Sequence, residues 1–203
     1  MREHVDYRDF YSGIRGKRVS FIGAGVSHKE LILQFAAAGA VVTLCDKKQL
    51  ADLGEYGEKL VAQGVRLSLG ESYLDGLQGA DIILRTPGFE YYTPALQAAI
   101  AAGSEVTSEM ELFFRCCPCR IYAVTGSDGK TTTTTLISTM LAASGRRVHL
   151  GGNIGRALFP IIDTVQPDDV AVVELSSFQL ISMRQSPEVA VVTNVTPNHL
   201  DHH

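Results

Sequence analysis

Short apolar runs, each closed by glycine or by a polar cluster, recur along the whole chain, with helical spacings between them. Arg18-Val19-Ser20-Phe21-Ile22 is the first run, and Gly23-Ala24-Gly25-Val26-Ser27 follows it at once. A run this short and this apolar predicts a buried strand. Leu31, Ile32, Phe35 and Ala36 then return at helical spacing, and Gly39 ends the helix. The next strand is Val41-Val42-Thr43-Leu44-Cys45, closing at Asp46. Further strands are predicted over residues 65–69 and 81–84, with a loop or irregular stretch at 71–76 between them. Residues 94–102 predict a helix with Pro94 in its first turn and Gly103 past its end. A short strand at Glu105-Val106 and a helix over residues 108–114 follow.

The second half repeats the alternation. Residues 121–124, 147–150, 169–174 and 188–194 read as strands, and residues 136–141 as part of a helix. Strands alternating with helices call for mostly parallel sheets covered on both faces, so the expected fold class is α/β. The opening strand, glycine turn, helix and strand make the first half a Rossmann-like sheet domain, with Asp46 at the end of its second strand. The boundary is placed near Thr107, giving domains at 1–107 and 108–203.

Chemistry concentrates in Val124-Thr125-Gly126-Ser127-Asp128-Gly129-Lys130-Thr131-Thr132. Strand, glycine loop, Lys-Thr and helix form a phosphate cradle, because glycines let N–H groups face an anion and the helix start adds positive charge. Lys130 would neutralise β- and γ-phosphates, and the Thr131 hydroxyl would hold Mg²⁺. The common pattern G-x-x-x-x-G-K-[ST] needs glycine where Val124 stands, so this is the shorter T-G-x-x-G-K-T-T variant. The bland alternative is a glycine turn with a solvated lysine. The threonine run from Thr131 to Thr135 suits ligand service better than helix propensity.

Glu174 leaves an apolar strand, as a carboxylate holding a hard cation would. A capping or salt-bridged acid is the alternative. His199 is weaker on chemistry alone, since imidazole is not a favoured Mg²⁺ ligand. In the first half the fingerprint G-x-G-x-x-G is broken by His28, so NAD is weakly supported, while a diphosphate near Gly23 to Ser27 remains favoured over glycines serving packing alone. Thr86-Pro87-Gly88 follows a predicted strand, at the edge where open α/β sheets take ligands.

Composition narrows the classes. The formal net charge of −4 argues against a nonspecific nucleic-acid binder, and 45% hydrophobic with 20% charged residues is ordinary for a globular protein. No apolar run approaches membrane length, and the acidic start at Glu3 and Asp6 is unlike a secretion signal, so a cytoplasmic location is expected. The C-x-x-C formed by Cys116 and Cys119 precedes a strand and lacks a second ligand pair at finger spacing. Reduced thiols at a domain junction are expected.

The phosphate loop, Gly151-Gly152-Asn153-Ile154-Gly155, Glu174-Leu175-Ser176-Ser177-Phe178-Gln179-Leu180 and Asn194-Val195-Thr196-Pro197-Asn198-His199-Leu200-Asp201 resemble the Mur ligase family in order and spacing. The Ser-Ser-Phe-Gln segment is similar to the branch that adds D-glutamate. Gly23 to Ser27, Asp46-Lys47-Lys48 and Thr86-Pro87-Gly88 are similar too. The resemblance implies ATP binding at Gly126, Ser127, Asp128, Gly129, Lys130, Thr131 and Thr132. It implies Mg²⁺ at Thr131, Glu174 and His199, with Lys130, Glu174 and His199 acting in catalysis. Asn153, Ser176 and Gln179 would face the muramoyl substrate, and Val26, Ser27, Asp46, Lys47, Lys48 and Gly88 would hold its uridine diphosphate. The implied reaction joins D-glutamate to UDP-N-acetylmuramoyl-L-alanine through an acyl phosphate, in peptidoglycan precursor synthesis, by a monomer.

Two departures accompany it. Asp128 stands where the family commonly has asparagine, and family members are longer. An incomplete central domain over 108–203, inactive alone, is therefore expected. The rivals are another P-loop phosphotransferase, a module that binds the UDP-muramoyl substrate without turnover, and a dehydrogenase, the last disfavoured by His28.

Overall fold

The computed structural model describes residues 4–197. The chain divides into two compact units, residues 8–109 and residues 110–197, the second joined by residues 4–7.

In the first unit, α1 (Tyr7–Gly13), β1 (Arg18–Ile22), α2 (Val26–Ala37), β2 (Val41–Asp46), α3 (Leu50–Ala62) and β3 (Arg66–Leu69) come in turn. A 3₁₀ turn at Tyr73–Leu77, β4 (Ile82–Arg85), α4 (Pro94–Ala101) and β5 (Glu105–Thr107) complete it. The strands pair in parallel in the order β3-β2-β1-β4-β5. β1 and β4 run through the middle, and every residue from Val19 to Ile22 and from Ile82 to Arg85 is buried. Strands covered on both faces read as continuous apolar runs, which is why they were visible without alternation. Phe21 lies level with Leu44 on one side and Leu84 on the other. Phe35 of α2 packs edge-on against Phe21 and Phe10, with ring centres 5.3 and 5.8 Å apart. The helix α3 has no counterpart in the sequence reading, and the stretch read as irregular at 71–76 largely forms the 3₁₀ turn. Gly54 breaks the helical backbone of α3, and Gly57 interrupts its apolar stripe.

His28 explains how the broken fingerprint is accommodated. Its ring is fully buried against Phe21, and Nδ1 lies 2.9 Å from the Gly23 carbonyl, tying α2 to the glycine turn. Burial pulls its pKa down from 6.5 to about 4, against the opposing effect of the Gly23 and Ile22 carbonyls. A depressed folded-state pKa means the unfolded chain takes up the proton first as pH falls. Stability is therefore retained above about pH 6.5 and declines towards pH 4, by about 3 kcal/mol in total at about 1.36 kcal/mol per pKa unit. Urea midpoints of the first unit should fall between pH 7 and pH 5 in the wild type. A His28→Gln chain, which cannot ionise there, should lack most of that decline.

The second unit holds α5 (Glu109–Cys116), β6 (Arg120–Thr125), α6 (Lys130–Ala143), β7 (Val148–Gly152), a 3₁₀ segment at Phe159–Thr164, β8 (Val170–Glu174), α7 (Ser177–Leu180) and β9 (Val189–Val192). These strands are also parallel, in the order β7-β8-β6-β9. Glu174 is level with Val124 on β6 and with Gly152 on β7, and Thr125 is level with Val192. The four strands therefore end together, and the loops after them open on one edge.

The threonine run lies in α6 despite the low helix propensity of its residues. Thr134 donates its hydroxyl to the Lys130 carbonyl at 2.8 Å, and Thr139 donates to Thr135 at 2.9 Å. Such back-bonding gives the hydroxyls partners without unwinding the turn. All four cysteines are free and buried, and burial pushes the Cys116 thiol up to about 12. Thiols this far from ionisation are poor nucleophiles. Among the described residues no group of three His, Cys, Asp or Glu side chains is placed to hold a metal, and no helix is long and apolar enough to cross a membrane.

Candidate functional site

The loop from Gly126 to Gly129 turns between β6 and α6, with Gly129 as the N-cap of the helix and no side chain capping it. Helix geometry leaves the first-turn N–H groups without intrahelical acceptors, and these belong to Lys130, Thr131 and Thr132. Lys130 folds back, its ammonium donating to the Gly126 carbonyl at 2.8 Å and the Ser127 carbonyl at 2.9 Å. The charge is thereby held at the mouth of the loop. Two of the loop's own amides are differently engaged than a full cradle requires. Ser127 N–H donates to the Asn194 carbonyl at 3.0 Å, and Asp128 N–H donates to Asn194 Oδ1 at 3.0 Å. The Asp128 side chain is exposed.

Glu174 sits at the exit of β8 and is 1% exposed. Thr131 donates its hydroxyl to Oε2 at 2.7 Å, and Asn153 donates its side-chain amide to Oε1 at 2.8 Å. The Asn153 backbone N–H also reaches the Glu174 carbonyl at 2.8 Å. This wrapping depends on Gly152, whose φ is 99° and whose hydrogen faces the Glu174 backbone; a Cβ there would collide with the Glu174 carbonyl oxygen. The result is a buried carboxylate contacted by neutral donors, next to a hydroxyl oxygen. Two hard oxygen donors side by side fit a hard divalent cation, and a buried carboxylate is better satisfied by a cation than by neutral partners alone. His199, the third metal ligand implied by the resemblance, lies outside the described residues.

Ser176 caps the short helix α7, and Gln179 answers it. Gln179 Oε1 accepts from Ser176 N–H at 2.9 Å and from Ser176 Oγ at 3.1 Å, and Gln179 is 4% exposed. The reciprocal capping box fixes the turn after β8. Gln179 thus shapes that turn, and Ser176 lines the open space beside it. A cavity of about 560 Å³ brings together Gly126, Ser127 and Lys130 of the loop with Asn153, Ser176 and Asn194. Phe178, Leu180 and Val195 give it an apolar side. Of these, Asn194 was named in a motif but given no role from sequence. The available signal was its position at a strand exit beside the phosphate loop.

In the first unit the strand order reverses between β1 and β4, which is where open parallel sheets form a ligand crevice. Val26 and Ser27 open α2 there, with Val26 82% exposed, and Gly88 lies exposed after β4. Asp46 is engaged structurally: Oδ2 accepts from Ala24 N–H at 2.8 Å and Oδ1 from Lys48 N–H at 2.9 Å. It therefore fixes the glycine turn and the Lys47-Lys48 turn relative to each other. Both lysines are exposed, Lys47 with its ammonium 5.9 Å from the Tyr73 ring centre. Sequence reasoning missed Arg85. Its buried guanidinium donates from Nη1 to the carbonyls of Thr86, Pro87 and Phe89 at 3.3, 3.1 and 2.8 Å, shaping the loop that carries Gly88.

Two parallel sheets, the second with a glycine loop between strand and helix and an acid at the neighbouring strand's exit, define an α/β protein of the phosphate-loop class. Residues 17–108 match the MurD-like N-terminal domain of Mur ligases, and residues 124–203 match the Mur ligase middle domain. The chain belongs to the Mur ligase family. It is 52% identical over 195 residues to the UDP-N-acetylmuramoylalanine–D-glutamate ligase of Acetivibrio thermocellus, covering 96% of this chain and 42% of that protein. The enzyme of that name from Clostridium kluyveri is 48% identical over 198 residues, covering 98% and 43%. The chain thus spans less than half the length of these curated relatives. The solved UDP-N-acetylmuramate:L-alanyl-gamma-D-glutamyl-meso-diaminopimelate ligase from Neisseria meningitides shares the fold, with a TM-score of 0.50 and 20% identity over 92% of this chain and 63% of that one.

Proposed function

We propose that this chain supplies the UDP-sugar-binding and nucleotide-binding parts of an ATP-dependent ligase that joins D-glutamate to UDP-N-acetylmuramoyl-L-alanine. The observation that carries the reading is the meeting of Lys130, Thr131, Glu174 and Asn153 at one sheet edge beside the 560 Å³ cavity. The relatives at 48–52% identity, named for this reaction, support the choice of substrates. In the proposed reaction the substrate carboxylate takes the γ-phosphoryl group of ATP, ADP leaves, and the D-glutamate amine then displaces phosphate.

Such a transfer asks the protein mainly for positioning and charge neutralisation. Lys130 provides one fixed positive charge, and the first-turn amides of α6 provide oriented dipoles. Glu174 and Thr131 would hold Mg²⁺, with His199 as a further ligand, and the ion would offset negative charge on the phosphates. Asn153, Ser176 and Gln179 would face the muramoyl substrate. Val26, Ser27, Asp46, Lys47, Lys48 and Gly88 would receive the uridine diphosphate, and Asp46 also holds their turns. The proposal places the protein in the cytoplasm as a monomer in peptidoglycan precursor synthesis, acting on small molecules rather than nucleic acid or membrane.

Calorimetry of this chain with UDP-N-acetylmuramoyl-L-alanine, and separately with Mg·ATP, tests the reading. Both titrations should give heat. Lys130→Ala should weaken the ATP response roughly 30-fold or more, as loss of a charge-assisted contact of about 2 kcal/mol does, and leave the UDP-substrate response unchanged. Heat from neither ligand would remove the proposal.

A further inference from the structure

The loop that the proposed function reads as the nucleotide site is held from outside by a residue to which nothing so far assigns a role. Asn194 follows β9, level with the loop's far side. Its Oδ1 accepts from Asp128 N–H at 3.0 Å while its Nδ2 donates to the Asp128 carbonyl at 3.1 Å. The side-chain amide thus pairs with both backbone groups of one loop residue. Its backbone carbonyl takes a second loop amide, Ser127 N–H, at 3.0 Å. Thr193 adds a hydroxyl donated to the same Asp128 carbonyl at 2.6 Å. Ser127 in turn exchanges hydrogen bonds with Thr196, Oγ donating to the Thr196 carbonyl at 3.0 Å and accepting from Thr196 N–H at 2.8 Å. Residues 193–196 therefore grip the loop at three of its backbone groups and one hydroxyl, through six hydrogen bonds.

From this pairing we infer that Asn194 is a positioning residue for the phosphate loop. It commits the Ser127 and Asp128 amides to the protein, so that the terminal phosphates of a nucleoside triphosphate are received by Lys130 and the first-turn amides of α6. A primary amide is the side chain suited to this task, since it offers one acceptor and one donor in the plane and spacing that a peptide's N–H and C=O require. Aspartate keeps the acceptor and loses the donor. Alanine loses both. The inference rests on the nucleotide reading for its ligand but not for its geometry, and two separate measurements keep them apart.

The first measurement is amide hydrogen exchange of the ligand-free chain, resolved by residue. The Asp128 amide should be protected in the wild type and in Asn194→Asp, and should exchange roughly tenfold faster or more in Asn194→Ala, as expected when a local hydrogen bond opens. An unprotected Asp128 amide in the wild type overturns the inference. So does undiminished protection in Asn194→Ala, and should that variant fail to fold, loss of Asp128 protection in folded Asn194→Asp overturns it too. The second measurement titrates a fluorescent ATP analogue and UDP-N-acetylmuramoyl-L-alanine into each chain. Asn194→Ala should weaken the ATP analogue about tenfold, the size expected for losing two hydrogen bonds, at unchanged UDP-substrate affinity. Equal weakening of both ligands points to general loss of structure and overturns the positioning role. A wild-type chain with the expected exchange pattern that binds no nucleotide removes the proposed function and leaves the clamp standing.

Discussion

Gly126→Ala should abolish nucleotide binding and lower the thermal midpoint of the second unit, and it should do so more severely than any other single methyl added to the loop. Gly126 has a φ of 135°, a region L side chains rarely adopt, and its hydrogen faces the exit of β9. A Cβ there would overlap Thr193 Oγ1 and would come within 2.8 Å of the Asn194 carbonyl oxygen and 3.1 Å of the Asn194 nitrogen. Backbone atoms cannot swing aside as a side-chain tip can, so either the loop or the strand exit must move. Strain of this kind adds about 1–3 kcal/mol for the backbone and a comparable amount for the overlap. At about 4–8 °C per kcal/mol for a unit of this size, a fall of roughly 10 °C or more is expected in differential scanning calorimetry. Gly129→Ala is the control. Its Cβ would meet nothing within 4 Å, so the penalty there is the left-handed backbone alone. Equal effects at the two positions would contradict this account.

Glu174→Gln should separate binding from stability in the opposite direction. The substitution keeps the shape and an oxygen for the Asn153 amide, while removing the charge. Glu174 is 1% exposed, and its described contacts through Thr131 and Asn153 are neutral donors. A buried carboxylate without a paired cation carries a desolvation penalty, so neutralising it should leave the ligand-free chain at least as stable as wild type. Divalent-ion affinity should nevertheless fall by about 100-fold or more, since loss even of an outer ligand partner weakens metal sites 10–100-fold. Electron spin resonance of Mn²⁺ added with ADP reads the affinity, and a thermal melt reads the stability. A variant that unfolds early and binds Mn²⁺ normally would show Glu174 to be a structural acid.

Much of the architecture was legible because the central strands are covered on both faces. Ile82 to Arg85 and Val170 to Glu174 are buried throughout, so their apolar runs stand out in the sequence. The helix α3 was not legible, because Gly54 and Gly57 disturb the spacing that marks a helix, and tertiary packing holds it in place. The threonines of α6 are held in a helix for a related reason. Their β-branched side chains lower helix propensity locally, but the helix lies on β6 and β8 and its hydroxyls find carbonyl partners within the helix.

The site divides along the same line. Sequence by itself determined which residues carry charge and oxygen at strand exits: Lys130, Thr131 and Glu174, together with the glycines on which a tight strand-to-helix turn depends. It also carried the family resemblance, because motifs survive as short contiguous strings. Only the tertiary structure decided what those groups do to one another. It gave Gln179 and Asp46 turns to brace, brought Asn153 onto Glu174, and set Asn194 against Asp128 across 66 positions of chain. The reason is physical: in a parallel sheet the strands that lie side by side are distant in sequence, so the partners of a strand-exit residue are fixed by strand order and register, which no local pattern contains.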